Sequence, residues 1–345
     1  MIKSAQFKNF TTLPNEVLQF APGLNVVVAE NGFGKTHLLK ALYCLLKVNG
    51  GKEQSKAALE RAYADKLLRV FRPEALGRLV KRKQGRKRCE LALNMSKAEQ
   101  SCAISFATQA ASAVQVDQAP SVAVEKTPVF LPTRELLTLC PWFGPLYDNY
   151  DVPFEETWRD TVSLLGAPTM RGPRAEVVAR FLAPLEVAIG GKVLADEKTG
   201  KFYLQIAGEG KMEMPLVAEG LRKVAMLARL ISTGVLLKQG YLFWDEPETN
   251  LNPKLIKVVA ECIMHLCAQG IQVFIASHSL FLLRELEMLS EQKAFAKVKQ
   301  RWFALKLETN GLVAIEQGDR VDDLHTLVVL DEELMQSDRF IGQGH

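Results

Sequence analysis

The stretch from Leu24 to Val48 constrains the fold more than any other part of the chain. Leu24-Asn25-Val26-Val27-Val28 reads as a buried strand, and a glycine-containing loop follows at once. Leu38, Leu39, Leu42, Leu45 and Leu46 then form the broad apolar face of a helix from about Thr36 to Val48, which Gly50 and Gly51 stop. The run Ala29-Glu30-Asn31-Gly32-Phe33-Gly34-Lys35-Thr36 fits GxxxxGK[ST] at every fixed position except the first, where Ala29 stands for glycine. Gly32 and Gly34 let backbone amides wrap a phosphate, Lys35 offers its ammonium to β- and γ-phosphates, and Thr36 offers a hydroxyl to magnesium at a helix start. Asn31, Phe33 and His37 complete the expected nucleotide contacts. Ala29 is acceptable provided its backbone needs no positive φ.

Far downstream, Tyr241-Leu242-Phe243-Trp244 is an apolar strand that ends in Asp245 and Glu246. An open α/β sheet places its chemistry at such strand ends. Asp245 is expected to hold magnesium, and Glu246 to orient or deprotonate an attacking water. One strand later, Ile275-Ala276-Ser277-His278-Ser279 puts His278 beyond a neighbouring tip, where a neutral imidazole reaches a γ-phosphate oxygen or that water. Lys35, Glu246 and His278 are therefore the candidate catalytic groups. Between these strands, Asn252 and Pro253 open a helix that runs to Gln269 before Gly270.

The rest of the chain reads less sharply. Residues 52–72 have a helical pattern, and alternation near Cys89–Met95 and Ser101–Ala107 suggests a small antiparallel unit. Thr108–Val124 shows no period and reads as a surface loop. Val129–Leu131 is a short core strand, and the aromatic, proline-rich stretch 141–158 a compact helical or irregular unit. Lys201–Ile206 and Lys211–Leu216 resemble a hairpin, which leads to a helix from about Leu221 to Thr233. Trp302–Leu307 is the last strand expected, with acidic Asp319, Asp322, Asp323, Asp331, Glu332 and Glu333 beyond it.

Charge and cysteine usage bound the partners. At 345 residues, with 48% hydrophobic and 24% charged residues, the chain suits one globular head rather than a polyelectrolyte. Its net charge of +4 says little, but Arg78, Lys81, Arg82, Lys83, Arg86, Lys87 and Arg88 form a basic run with no acidic residue among them. That run is expected to meet a nucleic acid, DNA or RNA, or an acidic partner protein, or to stay solvated. No CxxC pair, no secretory leader and no membrane-length apolar stretch are evident, so free thiols in a cytoplasm are expected. Cys262, His265 and Cys267 cannot share one helix face, and read as packing rather than a metal site.

The loop, the Asp245–Glu246 strand end and His278 together resemble the ABC-type ATPase superfamily in its soluble branch, which includes SMC proteins, RecF proteins and the OLD-like ATPases of bacterial phage defence. The resemblance spans about Ile2 to Leu307. It implies an α/β P-loop NTPase of ABC ATPase-head type, with a mainly parallel core sheet, an antiparallel N-terminal unit and an inserted helical subdomain. In these terms Ala29–Thr36 is the Walker A loop, Leu242–Glu246 Walker B, Asn250-Leu251-Asn252 the D-loop and His278 the switch histidine. Phe7-Lys8-Asn9-Phe10 resembles the first strand, near which such heads meet adenine.

The signature motif falls at Val217-Ala218-Glu219-Gly220-Leu221-Arg222-Lys223, with Ala218 in place of a serine. In relatives this helix start touches the γ-phosphate of ATP held by the opposite subunit, which makes Glu219, Gly220, Arg222 and Lys223 candidate nucleotide contacts. Arg134 and Glu135 occupy the Q-loop position, where a glutamine is usual. The resemblance implies ATP and Mg2+ as cofactors and a homodimer closed around ATP. It divides the chain into a head over 1–310, with a variable basic insert at 50–127 and a helical or irregular insert at 136–200, and an acidic extension over 311–345. Too few residues follow Leu307 for the nuclease domain that many OLD-like proteins carry. The expected activity is therefore slow or partner-stimulated ATP hydrolysis that controls a separate effector, such as a nuclease or toxin, in antiviral defence. A RecF/SMC-like repair ATPase and an ATP-locked scaffold are the alternatives.

Overall fold

The computed structural model describes residues 1–51, 55–81, 87–170, 175–238, 240–309 and 311–325, with 332, 335, 336 and 338–341 beyond them. Its centre is a six-stranded sheet of β3 (Leu24–Ala29), β7 (Pro128–Leu131), β11 (Tyr241–Asp245), β12 (Gln272–Ser277), β13 (Gln300–Leu307) and β14 (Val313–Gly318). The order is β14-β13-β3-β12-β11-β7. Every pairing is parallel except that of β14 with β13.

Alternation along these strands builds two cores, because successive side chains leave opposite faces of a sheet. Val27, Phe130, Phe243, Phe274 and Phe303 point to one face, where they pack against α1 (Lys35–Asn49). Phe243 and Phe274 stack there with centroids 4.8 Å apart, and Tyr43 of α1 meets Phe243 edge-on. Val26, Val28, Trp244, Ile275 and Trp302 point the other way, toward α6 (Glu219–Ser232), α8 (Pro253–Ala268) and α9 (Leu280–Ser290). Each such buried side chain contributes about 1.5–3 kcal/mol, so register between the central strands is strongly specified.

An antiparallel sheet of β1 (Ile2–Lys8), β2 (Val17–Gln19), β4 (Arg88–Met95), β5 (Cys102–Ala107) and β6 (Gln115–Gln118) covers the far side of α1, in the order β2-β1-β4-β5-β6. Buried Gln272 ties it to the core by accepting from the Ile2 amide and donating to the Ile2 carbonyl, each at 2.8 Å. The insert after β7 holds α3 (Cys140–Asn149), α4 (Glu156–Leu165) and α5 (Ala175–Ile189). It continues into a small sheet, β8 (Lys192–Ala195), β9 (Phe202–Ile206) and β10 (Gly210–Glu213). Helix α2 (Lys56–Phe71) joins α4 through Lys66, whose ammonium lies 2.7 Å from Asp160 and 3.2 Å from Glu156. The short α7 (Val235–Lys238) follows α6.

Three expectations are corrected. Residues 115–118 form strand β6 rather than loop, held by backbone pairing to β5 with only Val116 turned into the core. The strand series does not end at Leu307, because β14 adds an antiparallel edge to β13. The hairpin has a third strand, β8, and its last strand stops at Glu213, where Met214–Leu216 make a single 3-10 turn. Asp331 and Glu333 lie outside the described residues. Among the described residues no helix is long and apolar enough to cross a membrane.

Candidate nucleotide site

Three neighbouring strands deliver the predicted groups to one edge of the sheet. Val28 pairs with Ser277 and Ala276 with Asp245, so the carboxyl ends of β3, β12 and β11 finish level with one another. The loop after β3, the turn after β11 and His278 after β12 therefore meet, as open α/β sheets arrange their ligand sites.

Ala29 is the last residue of β3, paired in extended backbone with Leu305. The missing first glycine is thus explained, since nothing there demands positive φ. Gly32 and Gly34 do adopt it, at 88° and 97°. A Cβ on Gly34 would also lie 2.8 Å from Thr12 Oγ1 and 2.9 Å from Leu13 Cδ2. Helix α1 starts without a side-chain cap, which leaves its first amides and dipole for an anion. Lys35, only 5% exposed, donates to the carbonyls of Ala29 at 2.7 Å and Glu30 at 3.0 Å. Burial lowers its pKa. Asn31 is exposed, Phe33 half-buried, and His37 lies beside Phe71 with its Nδ1 buried and without a hydrogen-bond partner.

Thr36 and Asp245 come together across the sheet edge, the hydroxyl donating to Oδ1 at 3.0 Å and Oδ2 at 2.9 Å. One hydroxyl and one carboxylate so placed are a hard-oxygen donor set of the kind magnesium uses. Burial pushes the Asp245 carboxyl up to about 6, the Thr36 hydrogen bond works against that rise, and the Glu246 charge adds to it. At neutral pH the folded protein therefore holds a buried charge that the unfolded chain keeps in water. That cost amounts to about 3 kcal/mol and disappears as pH falls from 6 toward 4. Asp245→Asn, which can still accept from Thr36, is expected to stabilise the nucleotide-free protein at pH 7.5 by on the order of 1–3 kcal/mol in urea unfolding. If Asp245 holds magnesium, the same change is expected to remove the magnesium-dependent part of nucleotide affinity, and in the wild type that part is expected to weaken as pH drops below 6. A destabilised Asp245→Asn protein would contradict this assignment.

Glu246 follows with φ 46°, turning the chain sharply away from β11. Its amide donates to the Ala276 carbonyl at 2.9 Å. Its carboxylate lies 3.3 Å from His278 Nδ1 through Oε1 and accepts from Thr249 Oγ1 at 3.0 Å through Oε2. His278 is half-exposed. Glu248 was not singled out in the sequence, yet it shapes the same corner. Buried, it accepts from Ser277 Oγ at 2.7 Å and from the His278 amide at 3.2 Å, so it fixes the loop that carries the histidine.

The signature segment divides in two. Ala218 and Glu219 are exposed at the start of α6, with no side chain capping that helix. Gly220 packs on the D-loop of its own chain: a Cβ there would lie 2.4 Å from the Asn250 carbonyl oxygen. Arg222 and Lys223 turn inward. Arg222 Nε lies 3.1 Å from Oε1 of Glu135, itself 2% exposed, and Lys223 donates to the carbonyls of Glu246 and Thr249. The expected outward contacts of these two residues are thus replaced by contacts within the chain, because the start of α6 rests on the turn 246–249 and on Asn250. The two Q-loop candidates also part, Arg134 being exposed while Glu135 is held by Arg222 and by the Thr138 hydroxyl at 2.8 Å.

Phe7 and Phe10 are buried, so neither ring is open to adenine; Thr12 and Leu13 are what the chain sets against the phosphate loop. Of the basic run, Arg78 pairs with Glu74 at 3.2 Å, Lys81 donates to the Leu13 carbonyl at 3.5 Å, and Arg88 is bound to Ser105 at 2.9 Å through Nε. Lys87 lies just before β4, and Arg82, Lys83 and Arg86 lie outside the described residues. A cavity of about 620 Å³ at the amino ends of β3 and β13 contains none of the nucleotide groups.

Residues 140–284 match the family model described as "AAA domain, putative AbiEii toxin, Type IV TA system". The match takes in α6, Asp245, Glu246 and His278 and stops short of the phosphate loop. Among solved structures, the SmcHead bound to the C-winged helix domain of ScpA shares 13% identity at a TM-score of 0.59, covering 93% of this chain and 98% of that one. The Smc head domain with a coiled coil and joint from Pyrococcus yayanosii shares 9% at 0.55, over 98% and 99%. The Smc head domain from Pyrococcus furiosus with an extended coiled coil, bound to the C-terminal domain of ScpA, shares 11% at 0.54, again over 98% and 99%. With the phosphate loop, the Asp245–Glu246 turn and His278 gathered at one sheet edge, the chain has the fold of an ABC-type, SMC-head-like P-loop ATPase and over residues 140–284 resembles the AAA domain family of that toxin–antitoxin description.

Proposed function

We propose that the chain binds and hydrolyses ATP, that two copies close around the nucleotides, and that this cycle controls a separately encoded effector in antiviral defence. The observation that carries the reading is the pair of contacts at one sheet edge, Thr36 with Asp245 and Glu246 with His278. In this scheme the uncapped start of α1 and the glycine loop bind the phosphates. Lys35 leaves the loop carbonyls for β- and γ-oxygens. Thr36 and Asp245 would hold Mg2+, which supplies positive charge at the phosphate oxygens. Glu246 takes the proton of the attacking water, and His278 orients that water or a γ-oxygen.

The exposed, uncapped start of α6 supports the dimer, because it offers free amides to a phosphate on a second copy. The toxin–antitoxin description of the matched family supports a defence role, and the ScpA domains bound in two SMC-head structures support engagement of a separate chain. The free cysteines agree with a cytoplasmic setting. Ala218, which provides no hydroxyl cap, favours a second reading in which ATP locks an assembly and turnover is incidental.

Phosphate release by the purified protein decides between the two. Magnesium-dependent release that Glu246 controls is the expected result, and its absence would leave only the ATP-locked assembly. Purification from native cells with ATP present would then identify the effector.

A further inference from the structure

The start of α6 carries a buried cation for which the scheme above has no use. Lys223 is 2% exposed, and its Nζ donates to the Glu246 carbonyl at 2.7 Å and to the Thr249 carbonyl at 3.2 Å. These carbonyls stand at the two ends of the turn that aims the Glu246 side chain. The turn's backbone is closed from the Thr249 amide to the Glu246 carbonyl at 3.2 Å, and its side chains from Thr249 Oγ1 to Glu246 Oε2 at 3.0 Å. It begins at φ 46° on a non-glycine residue, a backbone state that persists only where the surroundings over-determine it. From outside the turn the Ala276 carbonyl accepts from the Glu246 amide, Glu248 is bonded to Ser277 and His278, and among the described residues Lys223 alone holds the carbonyls at both ends.

Its charge has a second consequence. Asp245, Glu246 and Glu248 crowd the ammonium and favour its charged form, as does Glu219, while burial is the larger influence and pushes the Lys223 amine down to about 8. An apolar side chain at this depth would avoid that desolvation. A lysine is useful here because it brings donors to two carbonyls and a positive charge beneath three carboxylates. Lys35, another cation near these carboxylates, belongs to the phosphates in the proposed cycle. Lys223, only 2% exposed, instead gives its donors to the Glu246 and Thr249 carbonyls.

We propose that Lys223 is a positioning residue for Glu246: its ammonium clamps both ends of the catalytic turn and so links the exposed start of α6 to the direction of the Glu246 carboxylate in the same chain. A displacement of α6, such as a second copy's nucleotide would impose at Ala218 and Glu219, then reaches the general base through one side chain. This inference rests on the reading of Glu246 as that base.

The test is a double-mutant cycle in the full-length protein, with Lys223→Met, Glu246→Gln and the pair compared by kcat, KM for ATP and affinity for a fluorescent ATP analogue. Lys223→Met is expected to lower kcat by roughly ten- to a hundredfold, because a misaimed catalytic group costs that much, with KM and affinity within about threefold of wild type. In the Glu246→Gln background the same change should cost nothing further, since both act through one carboxylate. Should Lys223→Met not fold, Lys223→Gln, which keeps an NH2 donor group without the charge, is expected to show a smaller kcat loss with the same lack of additivity. Unchanged kcat, or an equal loss in both backgrounds, would overturn the positioning role alone. A wild type no faster than Glu246→Gln would overturn the general base and the positioning role together.

Discussion

Glu246→Gln is expected to slow phosphate release by roughly 10²–10⁴-fold, the usual worth of a positioned general base, with nucleotide affinity within about threefold of wild type. The affinity is expected to be spared because in the proposed scheme Lys35, Thr36, Asp245 and the loop glycines meet phosphate and magnesium, and none of them hydrogen-bonds to the Glu246 side chain. Glutamine keeps the length of the side chain and can still accept from Thr249 Oγ1, so the turn at φ 46° keeps its internal partner. What it lacks is a lone pair basic enough to take a proton from water. Single-turnover phosphate release beside equilibrium binding of a fluorescent ATP analogue separates the two effects. A variant that hydrolyses at the wild-type rate would remove Glu246 from the chemistry, and one that no longer binds nucleotide would give it a binding role instead.

Gly220→Ala is the second large effect, and two opposing terms decide its sign. Alanine is the better helix former by about 1 kcal/mol, so on propensity alone the change would stabilise α6. Against this, the new Cβ would stand 2.4 Å from the Asn250 carbonyl oxygen and 3.5 Å from Leu251 Cδ2. The close atom belongs to the backbone, on a residue already at φ 63°, and cannot swing aside as a side-chain end would. Overpacking of this kind costs about 1–3 kcal/mol, and here it forces α6 away from the D-loop. Lys223 and Arg222 move with the helix, so the turn bearing Glu246 and the Glu135 contact both loosen. The expected outcome is a lower urea midpoint at unchanged slope and at least a roughly tenfold fall in kcat. A Gly220→Ala protein that is more stable and fully active would show that the helix start is not seated on the D-loop.

Much of the site is legible in the sequence because its motifs are local. The glycine loop needs only Ala29–Thr36 between a strand and a helix, and the β11 and β12 ends each announce themselves as an apolar run closed by polar residues. Edge strands were harder. β6 turns only Val116 inward, and β14 carries Glu316 and Gln317 on a half-exposed surface, so neither shows the apolar density of a central strand. The inward course of Lys223 depends on what α6 lies against. One signal was present: Lys223, Leu227, Leu230 and Ile231 follow the spacing of one helix face, so the lysine sits on the buried stripe. Glu248 offered no such clue, because its partners Ser277 and His278 come from the next strand of the sheet. The Glu135–Arg222 contact likewise joins segments far apart in sequence and emerges only once α6 is placed.

A shared ATP pocket is tested most directly by a structure of Glu246→Gln grown with ATP and Mg2+. The predicted result is two copies facing each other, each nucleotide held by the loop 29–36 of one and met at its γ-phosphate by the Ala218–Gly220 backbone of the other, with Lys223 still on the Glu246 and Thr249 carbonyls. Nucleotide bound in the loop with the 218–220 segment remote from every ATP, in its own chain and in all neighbours, would contradict it.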